Sequence, residues 1–211
     1  MDVTEACKRI HEILEKLPKW REPSNNLPKN GIYFFYEEDE ITPHTRKQRI
    51  VRVGTHGAGR TLKQRLGDHY NGNREGSIFR KHLGSALLRH AGASEAQIRE
   101  WRKRRKKSPH WKEFEGIEQK VSEVLMSRFF FRVIGVDSVE ERKVFEEKII
   151  ATISACRVCR PSEKWLGNFA WSDKVRGSGL WNSNFVGSSA RLTEKDLMRL
   201  EQLVFKTLTA Q

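Results

Sequence analysis

The alternation of apolar and polar positions divides the chain into helices and short strands. Apolar side chains recur at helical spacing over residues 5–17 and again over residues 193–208, which predicts an amphipathic helix near each end. Two runs rich in aromatic and β-branched residues, "GIYFFYE" and "RIVRVGTH", predict two strands joined by a polar hairpin connection. A third run, "SEVLMSRFFFRVIGV", is longer and denser in apolar residues, which predicts a central, well-covered strand.

Further helices are predicted between and after these strands. Leu62 and Leu66 lie one turn apart in "TLKQRLGDHY", directly after the second strand. After the third strand, Ser138 and Glu141 form a Ser-x-x-Glu pattern that is typical of a helix start. Between them, residues 71–120 contain helical patterns and a basic cluster, and we interpret this region as an insertion.

Composition indicates the class of partner. The 211 residues are enough for one domain, and 40 Lys plus Arg against 27 Asp plus Glu leave a net charge of +13. Such a charge favours a polyanion, with nucleic acid as the first candidate. No run of 18 apolar residues and no signal peptide is present, so we expect a soluble, cytoplasmic protein that does not enter a membrane.

Three cysteines, Cys7, Cys156 and Cys159, are an odd number, which argues against a disulfide scaffold. The "CRVC" motif alone is weak support for zinc, because a structural site needs four ligands and the sequence has no second CxxC and no HxxxH. Cys156 and Cys159 are therefore predicted to be small, buried apolar residues near the end of a helix.

One carboxylate falls where the helical pattern requires an apolar residue. Steps of about 100° place Phe145, Ile149, Ile150 and Ile153 in one arc, with Glu146 near its middle. A carboxylate on an apolar face needs a partner, and a divalent metal ion would be one.

Two more polar residues lie beside an apolar stripe. Arg65 and His69, one turn apart, flank Leu62 and Leu66 on the side of the helix that meets the sheet, so they would face a strand carrying Tyr33. Each of these residues also has a purely structural interpretation, such as an ion pair between Glu146 and Arg65. The functional hypothesis depends on their joint occurrence.

The order of these residues resembles the GIY-YIG nuclease superfamily, and in particular its restriction-endonuclease-like members. Gly31-Ile32-Tyr33 matches the first motif, and Arg52-Val53-Gly54 matches the second with arginine in place of tyrosine. The "LKQRLGDHY" helix resembles the family's arginine helix through Arg65, with His69 where restriction-like members carry His or Tyr. "FEEKII" is similar to the glutamate motif, with Glu146 as its glutamate. Asn168 is the nearest candidate for the family's asparagine, and Asn182 and Asn184 compete with it.

The resemblance covers residues 30–168 and implies an α/β (α+β) fold, a small three-stranded antiparallel sheet flanked by helices. It implies one domain that hydrolyses phosphodiester bonds with one Mg²⁺ or Mn²⁺ held by Glu146. Arg65 would contact the scissile phosphate, and Arg52 would add a second contact. Tyr33 would activate water directly or through His69. The long insertion favours a restriction-like DNA endonuclease of a prokaryote or phage, and symmetric cleavage of a palindrome would favour a homodimer.

DNA contacts are expected along the groove and from the basic cluster, where "REWRKRRKK" holds seven basic residues in nine positions. The candidates are Arg52, His56, Lys63, Arg99, Trp101, Arg102, Lys103, Arg104, Arg105, Lys106 and Lys107. A solvated charged helix face is the simpler alternative for the cluster. Two other functions stay open: a DNA-binding protein that keeps the fold without the chemistry, and an RNA-associated basic protein.

Overall fold

The computed structural model describes residues 1–210 as a mixed α/β chain built around one three-stranded sheet. The predicted terminal helices and the helices after the second and third strands are present. In chain order the elements are α1 Val3–Leu14, β1 Gly31–Ile41, β2 Gln48–Gly54, α2 Leu62–Tyr70, α3 Ile78–His90, α4 Glu95–Arg102, α5 Glu115–Arg128, β3 Phe129–Gly135, α6 Val139–Ala155, α7 Asp173–Ser178 and α8 Glu194–Thr209. Short 3₁₀ turns span Arg105–Lys107, Trp111–Phe114 and Leu166–Phe169.

The sheet has the order β2-β1-β3 with both pairs antiparallel, so β1 is the central strand. The prediction of a central third strand is wrong, since β3 lies at an edge. Its apolar density has another cause: α5 and α8 pack against it, and Trp20 exchanges two backbone hydrogen bonds of 2.8 Å with Phe131 along its outer side. The first half of that apolar run forms the end of α5 instead of a strand.

Successive side chains of β1 enter two different cores, as the period of two predicts. Ile32, Phe34 and Tyr36 join one cluster with residues of α1, α6 and α8. Tyr33 and Phe35 join the other, which contains residues of α2, α3, α5 and the tryptophans of the C-terminal segment. The sheet is therefore covered on both faces, and a polar side chain can reach solvent only at an edge or an end of a strand.

One buried arginine links the region between α2 and β3 to the end of α2. Arg80 on α3 donates from Nε and Nη2 to Glu118 on α5, at 3.1 and 2.9 Å. Its Nη1 donates to the carbonyl oxygens of His69 and Tyr70, at 3.0 and 3.2 Å. Since these carbonyls end α2, Arg80 fixes α2 relative to the insertion. None of the helices within residues 1–210 is long and apolar enough to cross a membrane.

Glu37 on β1 makes the stability of the fold depend on pH. Its side chain is fully buried, Oε2 accepts a hydrogen bond of 3.1 Å from Trp165 Nε1, and Arg128 lies 3.1 Å from Oε1. Burial raises the pKa of Glu37 to about 7, against the opposing effect of the Arg128 guanidinium. The folded state therefore binds an extra proton between pH 4.5, the ordinary value, and about pH 7. Because of this group, stability falls as the pH rises through that window.

Glu37→Gln is expected to raise the free energy of unfolding at pH 8 by up to about 3 kcal/mol relative to the wild type, with a much smaller gain at pH 4.5. The amide cannot ionise, and its oxygen can still accept from Trp165. Urea denaturation of both proteins at the two pH values measures the difference. Glu38→Gln, at the neighbouring half-buried position, is the matched control. An equal gain at both pH values for Glu37→Gln would contradict the argument.

Candidate active site

A cleft of about 140 Å³ opens where the second strand ends, and residues from six separate parts of the chain line it. Four of the predicted site residues meet there. The lining residues are Tyr33, Arg52, Thr55, Arg65, Ile78, Glu146, Asn182, Ser183 and Asn184. Thr55, Ile78 and Ser183 were missed, because nothing in their local sequence distinguishes them from ordinary loop or helix-start residues.

Tyr33 occupies the floor of the cleft because the strand opposite it carries a glycine. Tyr33 pairs with Gly54 across the sheet, and a Cβ added to Gly54 would overlap the Tyr33 hydroxyl group. The hydroxyl group lies 2.9 Å from His69 Nε2. The glycine of the second strand thus makes room for the phenol, which explains physically why these two positions occur together.

His69 supports Tyr33 from behind and does not line the cleft. It is fully buried, and its Nδ1 lies 2.7 Å from Ser77 Oγ, the N-cap of α3. Burial lowers the pKa of His69 well below its ordinary value, and the charges of Arg52 and Arg65 lower it further. The imidazole is therefore neutral and is held between two hydrogen-bonding groups, so its effect on the cleft passes through the Tyr33 hydroxyl group.

Glu146 is the single carboxylate among the residues that line the cleft. The four apolar residues around it on α6 are buried, while Glu146 itself is partly exposed at the margin of that face. Burial raises the pKa of its carboxyl group, whereas Arg52, Arg65 and a backbone hydrogen bond from Thr55 lower it. A partly buried carboxylate with neutral oxygens of Thr55 and Ser183 in the same cleft fits a hard divalent cation, whose remaining ligands would be water and phosphate.

Two guanidinium groups border the carboxylate. Arg65 on α2 donates from Nη1 to the carbonyl of Gly76 at 2.9 Å and to Asp68 at 3.3 Å, and its side chain is 19% exposed. Arg52 is almost completely buried, donates to the carbonyl of Trp181 and lies 5.1 Å above the Phe79 ring. Its Nε has no hydrogen-bond partner among the described residues. Both cations are therefore fixed, and each retains donors for an anion.

The C-terminal segment closes the cleft through Asn182. Its side chain pairs with the backbone of Val53, with Val53 N donating to Oδ1 at 3.1 Å and Nδ2 donating to the carbonyl at 2.8 Å. Asn182 and Asn184 line the cleft, and Asn168 does not. Asn168 instead donates to the carbonyls of Ser162 and Glu163, at 3.1 and 3.0 Å, and stabilises a turn.

Comparison with known proteins agrees with this geometry. A family model described as GIY-YIG domain matches residues 4–210. The chain belongs to the GIY-YIG family. No curated protein and no solved structure matches it. The match includes both terminal helices and the insertion, well beyond the motif-bearing residues 30–168, and GIY-YIG membership indicates a nuclease.

In this GIY-YIG domain, two predicted groove residues lie outside the cleft. His56 is buried, its Nε2 accepts a 3.3 Å hydrogen bond from Gly31 N, and its Nδ1 contacts the carbonyl of Gly57 at 3.0 Å. Burial lowers the pKa of His56, so the ring is a neutral link between the start of β1 and the loop that follows β2. Lys63 is exposed on α2 and contacts Asn25.

The basic cluster of the insertion divides into buried and exposed parts. Trp101 is fully buried, donates from Nε1 to the carbonyl of Lys81 at 2.9 Å and packs against Gly84, so the prediction of a DNA contact there is wrong. Arg102 is partly buried, and burial lowers its pKa. The exposed members are Arg99, Lys103, Arg104, Arg105, Lys106 and Lys107. Helix α4 ends at Arg102, so most of this charge lies on the irregular chain that follows.

Proposed function

We propose that this GIY-YIG protein is a divalent-metal-dependent endonuclease that cleaves double-stranded DNA in a restriction-like manner. One observation carries the proposal: Tyr33, Arg52, Arg65 and Glu146 come from separate segments and line one small cleft. Hydrolysis of a phosphodiester needs an activated water, compensation of charge on the phosphoryl oxygens and stabilisation of the leaving oxygen. These four side chains supply the groups for all three tasks.

Tyr33 would take the proton from the attacking water. Its hydroxyl group is the polar end of a buried side chain that lines the cleft, and His69 Nε2 lies 2.9 Å from it. As the phenolic oxygen accepts the water proton, it passes its own proton to the neutral imidazole. Burial lowers the pKa of His69, so the ring is neutral and can accept this proton, and it would return the proton to Tyr33 after the reaction. His69 is thus a positioning residue and a transient proton acceptor.

Glu146 would hold the cation. Bound there, Mg²⁺ or Mn²⁺ would act as a Lewis acid on the phosphoryl group. The side chain itself would fix the position of that charge, because α6 is anchored in the core by Phe145 and Ile149 on either side of it. Burial raises the pKa of this carboxyl group, and the neighbouring guanidinium groups oppose that rise.

Arg65 and Arg52 would bind the scissile phosphate. Charge-assisted hydrogen bonds from a fixed guanidinium group are stronger than neutral ones, and they strengthen as charge develops in the transition state. Arg52 occupies the position of the tyrosine in the family's second motif. The cleft would therefore have a second positively charged side chain in place of a phenol group.

Arg65→Ala is expected to lower turnover about 100-fold while DNA affinity changes little, because the contact matters most in the transition state. Single-turnover cleavage and DNA titration measure the two effects separately. Arg60→Ala is the matched control, since Arg60 also pairs with Asp68 and does not line the cleft. A loss confined to affinity would assign Arg65 to DNA binding alone.

The exposed cluster after α4 supports binding to a polyanion. Replacing Arg104, Lys106 and Lys107 by alanine is expected to weaken binding and to reduce the slope of log K against log salt by up to about 3. Each phosphate contact that forms on binding releases counterions from the DNA, so binding with fewer contacts depends less on the salt concentration. Fluorescence anisotropy from low to high salt measures both quantities.

A control variant removes the same charge from the layer on the other face of the sheet. It carries alanine at Lys16, Lys143 and Lys195, all exposed on or beside α1, α6 and α8. An equal loss in both variants would show that net charge alone attracts the DNA.

The central test is incubation of the purified protein with duplex DNA from several sources, with Mg²⁺, Mn²⁺ or a chelator. Discrete fragments that require the metal support the proposal. Salt-sensitive binding without cleavage would favour the alternative that the Arg52 replacement suggests, a DNA-binding protein without catalytic activity. Cleavage or binding confined to RNA would favour an RNA-associated protein.

A further inference from the structure

Five sulfur- and nitrogen-bearing side chains meet at the end of the fold where α6 terminates. Cys156 is the C-cap of α6, and Cys159 follows in the next turn. Cys7 and His11 lie one turn apart on α1, and His44 comes from the connection between β1 and β2. The cysteines are buried and form no disulfide, as expected from the sequence, but their surroundings are not simply apolar.

Two nitrogen–sulfur distances among these groups match those of a tetrahedral metal site. The ligand atoms of Cys7, His44 and Cys156 lie within 4.8 Å of one another, as do those of Cys7, His11 and Cys159. His44 Nε2 is 3.4 Å from Cys156 Sγ, and His11 Nε2 is 3.7 Å from Cys159 Sγ. In a tetrahedral zinc site, Zn–S and Zn–N bonds of about 2.3 and 2.0 Å place neighbouring ligand atoms about 3.5–3.8 Å apart. Cys7 Sγ belongs to both groups and lies between them, so one ion bound to Cys7 would draw the two groups together.

The two histidines differ in how their ring nitrogens are used. His11 Nδ1 lies 2.9 Å from the carbonyl of Cys7, and its Nε2 lies 3.4 Å from the backbone nitrogen of Ile50. Both of its nitrogens therefore have backbone partners. His44 Nε2 has only the sulfur of Cys156 within hydrogen-bond distance among the described residues, which leaves its lone pair available.

The loop after α6 has the local geometry of a Cys-x-x-Cys metal-binding turn. The backbone N–H of Cys159 points at Cys156 Sγ, with 3.5 Å between nitrogen and sulfur. A backbone donor at this position favours the thiolate form of the sulfur, which is the form that binds metal. Backbone donors to ligating sulfurs therefore lower the cost of placing several thiolates in a buried site.

We propose that Cys7, Cys156, Cys159 and His44 Nε2 bind one structural Zn²⁺, with His11 as a buried neighbour that orients Cys7 and Cys159. Three thiolates and one imidazole form a closed tetrahedral set with no position for water or substrate. The ion would join α1, the β1–β2 connection and the end of α6. It is separate from the nuclease site, because ten helical residues, or about 15 Å, separate Cys156 from Glu146 along α6.

Zinc content of the full-length protein is the first measurement, made by mass spectrometry after expression with added zinc and gel filtration. We expect about one Zn²⁺ per chain. Replacing the ion by Co²⁺ should give the visible and charge-transfer bands of a tetrahedral thiolate site. Purified protein that takes up neither Zn²⁺ nor Co²⁺, or that has two of the three cysteines joined in a disulfide, overturns the proposal.

Variants test the individual ligands. Cys7→Ser and Cys159→Ser should weaken Zn²⁺ binding at least about 100-fold in competition with a chelator, with circular dichroism recorded to confirm folding. His44→Ala should change the Co²⁺ bands, whereas His11→Gln should keep their shape. His110→Ala, at an exposed histidine that contacts Glu113, is the control and should retain the metal. The opposite result for His44 and His11 overturns the choice of the fourth ligand. No DNA is present in these assays, so their outcome is independent of nuclease activity.

Discussion

Replacing Glu146 by glutamine is expected to lower the rate of DNA cleavage at least about 1000-fold. The amide keeps the size of the side chain and removes the only negative charge that lines the cleft, so the cation would lose its protein ligand. DNA binding should persist, because Arg52, Arg65 and the exposed basic cluster are unchanged. Cleavage of a plasmid at saturating protein concentration, together with anisotropy in the presence of chelator, measures the two properties.

The neighbouring residue supplies a matched control for this change. Glu147 is on the same helix, and its Oε1 accepts a 2.7 Å hydrogen bond from Ser188, so its side chain belongs to a different contact. Glu147→Gln should retain cleavage. Normal turnover by Glu146→Gln would show that the carboxylate has no role in the mechanism. It would also contradict the proposal that the cation binds in this cleft.

Tyr33→Phe is expected to lower cleavage about 1000-fold, since the variant loses the oxygen that would accept the water proton in the proposed mechanism. The ring remains and keeps its packing against Phe35 and His69. His69 Nε2 loses its partner, which costs about 1–3 kcal/mol of stability. Activity must therefore be measured well below the midpoint of thermal unfolding of the variant.

Tyr36 is the control for the loss of a hydroxyl group from the same strand. Its hydroxyl group is buried without a hydrogen-bond partner among the described residues, and its ring stacks on Phe130 on the opposite face of the sheet. Tyr36→Phe should leave cleavage intact and stability equal or slightly higher. If both variants lost activity equally, the effect would come from the strand and not from the Tyr33 oxygen.

Much of the fold could be predicted because short-range periodicity decides it. The period of two assigned the faces of β1, and the helical period identified α1, α6 and α8 with small errors at their ends. The position of β3 could not be predicted in this way. Apolar density reports how well a strand is covered, and coverage by α5, α8 and Trp20 gave an edge strand the composition of a central one.

The candidate site was predictable where a residue conflicts with its local pattern. Glu146 interrupts an apolar face, and Arg65 lies at the margin of one. Trp101 conflicts with nothing locally, and only the packing of α4 on α3 buries it. The sequence alone does not show whether Asn168 or Asn182 lies at the cleft, because this depends on the path of the C-terminal segment.

The cysteine cluster was missed for a different reason. Its ligands come from positions 7, 44, 156 and 159, and no local spacing rule relates the first two to the pair at the end. A metal site assembled from distant segments appears only when the topology brings them together. The local signs were the Cys-x-x-Cys spacing of Cys156 and Cys159 and the four-residue separation of Cys7 and His11 on one helix face.

The contact of Trp181 and Asn182 with β2 has a consequence for self-association. Trp181 N donates to the carbonyl of Val51 at 2.7 Å, and the Asn182 amide satisfies both backbone groups of Val53. This strand therefore cannot recruit an edge strand from a second molecule, which is a common route to aggregates and to sheets that continue across a dimer. Two copies arranged for a symmetric cut in DNA would therefore not meet by pairing their β2 strands.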